Sequence, residues 1–230
     1  MKRFYGQASV SPGDSGHGVL LDGRPLRTPA KRPLVASTPG LAEAIAEEWQ
    51  AQGDTIRPAA MPLTRLASTA LDRMPAQRGA AIEEVADYAG TDLLCYRAEE
   101  PFELVQRQQH AWQPLLDWAA ETHGARLLAT TSILPVEQPA DALGKLRALV
   151  ESMGDWPLVG MHAATTALGS VILGLAIAER RLDPEQALAA SLLDELFEIE
   201  RWGIDAETER RHGALRREVH AAAAFLARLG

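Results

Sequence analysis

Glu195 is the residue of this sequence whose position most suggests chemistry. A helix predicted after residue 183 carries an apolar face at about 100° per residue, and Glu195 projects into the middle of it, among Leu188, Leu192, Ile199 and Trp202. Burying an unpaired ionised carboxylate costs several kcal/mol. Glu195 must therefore meet a cation or a hydrogen-bond donor, be protonated, or face an opening that another protein uses.

These alternatives lead to different functions. Arg210 and Arg211 are possible partners for a structural ion pair with Glu195. As a catalytic acid or base, Glu195 would need a second converging group, such as Asp194 or a histidine, and the sequence nominates none convincingly. Asp194 and Glu198 lie off the centre of the apolar face, so we expect both to be solvated.

Other catalytic and ligand-binding patterns are missing from the sequence. The six histidines form no HExxH motif, no paired metal-ligand spacing and no recognisable triad, and Gly16-His17-Gly18 is not a phosphate-binding loop. The single Cys95 rules out an internal disulfide. A net charge of -8 disfavours nucleic acid, which is bound through an excess of Lys and Arg. The sequence thus predicts no enzyme, no metal and no cofactor.

The elements around Glu195 have clear boundary signals. Asp183-Pro184-Glu185-Gln186 is a strong helix start with an N-cap, an early proline and a capping-box glutamine. We expect that helix to run to Gly203 and Asp205 to cap a last helix, on which Arg210, Arg211, Arg216 and Arg217 form a solvated face.

The segment Tyr88 to Trp118 is a second organising stretch. Its apolar cluster Leu93 to Tyr96 precedes Glu99, Glu100 and Pro101, which predict the first turn of a helix, and Gln108 interrupts the apolar face of that helix.

The chain as a whole indicates an α+β fold. Short apolar runs between turn formers, including Asp22-Gly23, predict β structure over residues 1–36, and helical patterns follow from Pro39. ARLLATTSIL (Ala125 to Leu134) is expected to be a strand or extended linker. We predict a β-rich N-terminal domain over residues 1–60, with a helix near 39–52, and a larger helical domain over 61–230.

The stretch from Leu158 to Ala178 has no charged residue and is long enough to suggest a transmembrane helix. Eleven of its residues are Gly, Ala, Ser or Thr, and His162 lies inside it. We therefore interpret it as a core helix rather than a membrane span. The N-terminus MKRFYGQASV has neither a signal-peptide core nor a presequence pattern, which predicts a cytosolic protein.

Several long motifs closely resemble one known family, the ATP synthase F1 assembly chaperones that bind the alpha subunit, the "ATP twelve" chaperone family. The resemblance covers nearly the whole chain. The motifs that carry it are LDGRPLRTPAK (Leu21 to Lys31), AIAEEW (Ala44 to Trp49), MPLTRLASTALD (Met61 to Asp72), TDLLCYRAEEP (Thr91 to Pro101), WQPLLDW (Trp112 to Trp118) and SLLDELFEIERWG (Ser191 to Gly203).

The resemblance implies a β-rich N-terminal domain, a helical domain and an ATP-independent chaperone without a catalytic site. With no presequence pattern, the chain resembles a bacterial, cytoplasmic member of the family. It also implies that the unassembled alpha subunit is shielded until it pairs with beta. An acidic residue of SLLDELFEIERWG is important in the family; its motif position falls on Asp194 or Glu195, and the apolar face favours Glu195. The expected partner-binding residues are Asp194, Glu195, Glu198 and Trp202, and the alternatives are a helical scaffold with another partner or a small hydrolase.

Overall fold

The N-terminal residues form a small antiparallel sheet. The structure is a computed structural model that describes residues 1–132 and 134–230. Its strands are β1 (Ala8–Gly13), β2 (Gly16–Leu21), β3 (Arg24–Pro25) and β4 (Val35–Ala36), and β2 pairs with each of the other three. Asp22 and Gly23 turn the chain with φ of 48° and 75°, as the turn signal predicts. The predicted N-terminal β structure is confirmed.

Three helices follow the sheet: α1 (Pro39–Gln50), α2 (Pro62–Asp72) and α3 (Met74–Asp87). The Thr38 hydroxyl accepts a hydrogen bond from the Leu41 amide at 3.2 Å and caps α1, which packs on the sheet. Buried side chains of the sheet, of α1 and of the later helices form one hydrophobic core. The domain boundary at residue 60 remains a prediction.

Helix α4 (Phe102–His123) begins one residue after Pro101. The first turn therefore holds Glu103 and not Glu99 or Glu100, which lie in the preceding loop, so that part of the prediction is wrong. From residue 124 to residue 139 the described residues form neither a helix nor a strand, apart from an isolated bridge between Tyr96 and Thr130. The extended form expected for Ala125 to Leu134 fits this, except at Ile133, which lies outside the described residues.

Helix α5 (Ala140–Ser152) is followed by α6 (Asp155–Leu168) and α7 (Val171–Ala178), which occupy the uncharged stretch. The prediction of one helix here is wrong. Gly169 adopts φ of 67° and ends α6, and the Ser170 hydroxyl then caps α7. The core position is confirmed, because nearly all of α7 is buried. In the described part of the chain, no helix has the length and apolar character needed to cross a membrane.

The C-terminal helices are α8 (Pro184–Ser191), α9 (Leu193–Trp202) and α10 (Ala206–Ala227). The Asp183–Gln186 capping box and the Asp205 cap form as predicted. The expected single helix from Pro184 to Gly203 is wrong, because Leu192, at φ -95° and ψ 11°, separates α8 from α9. Gly203 still ends α9.

Candidate functional site

The break at Leu192 changes which residues of α9 are buried. Leu188 and Leu192 are buried, whereas Ile199 and Trp202 are not, so the residues around Glu195 do not form one continuous buried face. Phe197 is the buried residue of α9, at 4% exposure, whereas Trp202 is 84% exposed. Trp202 is therefore a free indole on the surface, next to the end of the helix.

Glu195 of α9 faces α10, where its carboxylate contacts Arg211 and His212. Its carboxylate accepts hydrogen bonds from both terminal nitrogens of Arg211, one of them at 3.2 Å, and lies 2.8 Å from Nε2 of His212. The Arg211 guanidinium, followed by the His212 hydrogen bond, lowers the pKa of this carboxyl group in spite of partial burial. The Glu195 side chain is 41% exposed, so solvent or a partner can reach this ordered, ionised carboxylate. The expectation of a cationic partner is met by Arg211.

A shallow cavity of about 320 Å³ opens beside Glu195. Its lining combines apolar side chains with carboxylates, and exposed Leu196 lies on the same short helix. We call this surface the α9–α10 corner and define it by Glu195, Glu198, Ile199, Trp202 and Ile204. Three of the four residues predicted from the sequence thus come together here.

Asp194, the fourth predicted residue, is directed elsewhere. Gln108 of α4, only 1% exposed, donates from Nε2 to Oδ1 of Asp194 at 2.7 Å, and its Oε1 accepts from the Ala98 amide at 2.8 Å. Asp194 is thus half-buried, and one of its oxygens is bound to α4. The same contacts explain the polar Gln108 on an apolar helix face, because both ends of its amide are satisfied.

A charged cluster on α4 and α9 holds the corner in place. The Arg201 guanidinium lies 3.4 Å from the centroid of the Phe197 ring, and Arg107 of α4 lies 5.2 Å from the same centroid. Arg107 also donates to Glu200 at 2.8 and 2.9 Å, and Glu103 bridges the two arginines. The sequence analysis missed this cluster, since no spacing signal relates Arg107 to a residue 93 positions later.

A second polar centre that the sequence analysis missed is Asp92, which is completely buried. Its carboxylate accepts hydrogen bonds from the Leu94 amide, the Ser170 hydroxyl and the Ile172 amide, at 2.8 to 3.2 Å. Burial raises the pKa of Asp92 to about 6, in spite of these donors. Asp92 joins the segment before α4 to the start of α7 and has no route to solvent, so its role is structural.

A larger cavity of about 480 Å³ lies between α2, α3 and α6, away from Glu195. Two ion pairs stand on its rim, Arg65 with Glu218 and His162 with Glu84. Its lining includes Ala80 and Ala81 of α3 and Ala163 and Ala167 of α6. Within residues 1–132 and 134–230, no group of three or more His, Cys, Asp or Glu side chains is arranged to hold a metal ion.

Comparison with known proteins places the chain in a family. The family model described as ATP12 chaperone protein matches residues 2–120, slightly more than half of the chain. The mitochondrial protein atp12 of Schizosaccharomyces pombe is 24% identical over 216 residues, which are 88% of this chain and 74% of that protein.

Solved structures agree with this result. The crystal structure of Atp12 from Paracoccus denitrificans is 43% identical, covers 100% of this chain and 98% of its own, and superposes with a TM-score of 0.95. An Asp-to-Lys variant of the same Paracoccus protein matches with the same identity, coverage and TM-score. The chain belongs to the ATP12 chaperone family, the ATP synthase assembly chaperones that its motifs resemble.

Proposed function

We propose that this protein is an ATP-independent chaperone that binds the unassembled F1 alpha subunit through the α9–α10 corner. The observation that carries the proposal is the exposure of Trp202, 84%, beside an ordered carboxylate and the exposed apolar side chains Leu196 and Ile204. Tryptophan is enriched at the energetic centres of protein interfaces, where it supplies a large apolar area. The corner has the composition of a protein contact.

The physical task of such a chaperone is to cover a client surface that would otherwise aggregate. A subunit awaiting its partner exposes an interface that resembles a core cut in half, and interfaces of this kind bury about 2,000 Å² or more in the finished complex. A chaperone has to bind part of that surface reversibly. It then releases the alpha subunit to beta during F1 assembly.

Glu195 has a contact role in this proposal and no catalytic role. Its lowered pKa keeps it ionised at neutral pH, so it holds no proton to donate as a general acid. The rival hydrolase would use Glu195 with Asp194 or a histidine. Asp194 is directed to Gln108. His212 does lie 2.8 Å from Glu195, but the hydroxyl group in the wall of the cavity, that of Thr208, donates to Asp205 at 2.9 Å and not to this pair. The chaperone proposal requires no metal, nucleotide or other cofactor.

Light scattering of purified alpha subunit, diluted from denaturant without nucleotide, tests the proposal. We expect an equimolar amount of this protein to suppress aggregation of alpha but not of beta, and added beta to release alpha from the complex. Equal protection of both subunits would indicate a general scaffold. Absence of protection for alpha would overturn the proposal.

We also propose that the protein acts in the bacterial cytoplasm, where the alpha subunit is synthesised. Fractionation of cells that express the full chain provides the test. The protein should remain in the supernatant after membranes are pelleted, and enrichment in the washed membrane pellet would contradict this location.

A further inference from the structure

Positive charge is concentrated at the N-terminal end of an otherwise acidic chain. Residues 1–38 contain six Lys or Arg and two Asp, while the whole chain has a net charge of -8. The motif LDGRPLRTPAK accounts for three of these six cations, and the α9–α10 corner uses none of them. A positively charged region on an otherwise acidic protein attracts negatively charged partner surfaces.

The loop that carries these cations is held rigidly against the end of α2. Asp72 accepts hydrogen bonds from the Thr28 hydroxyl at 2.7 Å and from the Ala30 amide at 3.0 Å. The Lys31 amide donates to the Thr28 carbonyl at 2.8 Å, and the Thr28 amide donates to the Arg32 carbonyl at 2.9 Å. Lys31 adopts φ of 64°, a left-handed conformation that non-glycine residues rarely occupy without such support.

Four exposed cations surround this anchor: Arg27, Lys31, Arg32 and Arg73, which we call the basic loop surface. None of them has a carboxylate within salt-bridge distance in the described part of the chain, since Asp72 binds Thr28 and Ala30. Arg27 and Arg32 each donate to one backbone carbonyl, of Lys31 at 2.8 Å and of Leu71 at 2.7 Å. These contacts order two guanidinium groups whose other N–H donors are available to a ligand.

Arg65 of α2 pairs with Glu218 of α10, so the helix whose end anchors the basic loop surface packs against the helix whose first turns border the α9–α10 corner. The two surfaces therefore lie on elements that contact each other.

We infer that the basic loop surface binds an acidic, Asp- and Glu-rich segment of the same protein client that docks at the α9–α10 corner. Carboxylates match the planar donor forks of Arg27 and Arg32, and the ordered loop reduces the entropic cost of binding them. Long polyanions fit less well, because DNA or an anionic membrane surface would also meet the acidic remainder of the chain. The client's identity rests on the proposed function, whereas its acidic chemistry rests on the basic loop surface.

The first test uses a fluorescently labelled twelve-residue oligoglutamate peptide and its oligoglutamine counterpart in anisotropy titrations of the full chain. The variant is Lys31→Asp/Arg73→Glu, which reverses two cations whose side chains make no hydrogen bond in the described structure; aspartate also tolerates the left-handed conformation. Arg57→Glu/Arg126→Glu has the same change in net charge at exposed positions elsewhere.

We expect oligoglutamate to bind at low salt, oligoglutamine not to bind, and the loop variant to lose about tenfold in affinity while the control loses much less. Equal losses in the two variants would show a net-charge effect and overturn the inference. The inference is also overturned if phosphatidylglycerol vesicles or a single-stranded oligonucleotide bind as tightly as oligoglutamate and show the same loss.

The second test uses the alpha subunit. We expect Lys31→Asp/Arg73→Glu to weaken alpha binding about tenfold, with a smaller salt dependence than the unmodified protein shows. If Trp202→Ala weakens alpha binding and the loop variant does not, the inference fails and the proposed function stands. If the unmodified protein binds oligoglutamate but not alpha, the proposed function fails, and the acidic chemistry of the partner stands without its identity.

Discussion

A single substitution, Trp202→Ala, tests whether the α9–α10 corner contacts the alpha subunit. Because the indole is 84% exposed, Trp202→Ala should change the free energy of unfolding by no more than about 0.5 kcal/mol. Truncation of an interface tryptophan, in contrast, commonly costs 2 kcal/mol or more of binding, roughly a thirtyfold loss in affinity. Denaturant unfolding and titration with alpha subunit measure the two effects. Unchanged affinity would remove Trp202 from the contact.

Two variants distinguish a client-contact role of Glu195 from its role in the ion pair with Arg211. Glu195→Lys places a cation beside Arg211, and since the pair is partly exposed we expect a loss of only roughly 1 kcal/mol of stability. Client protection should fall strongly, because the charge at the corner is reversed. Glu195→Gln keeps a hydrogen-bond acceptor and should retain more protection. Unchanged F1 yield in a strain that carries only Glu195→Lys would contradict a contact role.

Asp92 makes stability depend on pH in a predictable direction. Its folded-state pKa, about 6, lies above the value of about 3.9 for an unfolded chain, so the folded state binds the proton more tightly. The resulting stabilisation is fully present below about pH 4 and is lost as the pH rises through about 6. Asp92→Asn removes this titration. The stability difference, wild type minus Asp92→Asn, should therefore decrease by on the order of 2 kcal/mol between pH 4 and pH 7. Parallel pH curves would show that Asp92 does not titrate in this range.

At the scale of elements, the contact between α6 and α7 depends on Gly174. A Cβ atom at Gly174 would overlap Oγ1 of Thr165 and lie 3.1 Å from Cε of Met161, in the most buried helix of the chain. We expect Gly174→Ala to destabilise the protein by about 1–3 kcal/mol, because the core must shift to admit the methyl group.

Gly144 in α5 is the matched control for Gly174. It is exposed, and a Cβ at this helical position would meet nothing within 4 Å. Gly144→Ala should therefore stabilise the protein by roughly 0.5–1 kcal/mol through helix propensity. If thermal unfolding shows the same effect for both variants, close packing at Gly174 is not the cause.

Helix starts were predicted more accurately than helix interruptions. Thr38, Asp183 and Asp205 cap helices through side-chain bonds to amides two or three residues away, so the signal is local and visible in the sequence. The break at Gly169-Ser170 also has local signals, a glycine and a cap, but the uncharged stretch was interpreted as continuous. The break at Leu192 has no such signal, because leucine favours a helix and only packing ends α8 there.

At the scale of the whole molecule, the candidate site combines predicted residues with contacts that local patterns do not reveal. Glu195, Glu198 and Trp202 could be predicted because they lie in one short motif. The contacts of Asp194 with Gln108 and of Arg107 with Glu200 join positions 86 and 93 residues apart. Such pairs are determined by the packing of α4 against α9, which a single sequence does not specify.

Hydrogen–deuterium exchange of the protein, alone and in complex with the F1 alpha subunit, tests the account most directly. Amides are followed peptide by peptide along the chain. We predict that alpha slows exchange in α9 and the start of α10, over residues 193–212, and in the loop over residues 27–32, while the α3 and α6 walls of the 480 Å³ cavity are unaffected. Protection confined to that cavity, or no protection anywhere in a complex shown to form, would contradict the assignment of the α9–α10 corner as the client surface.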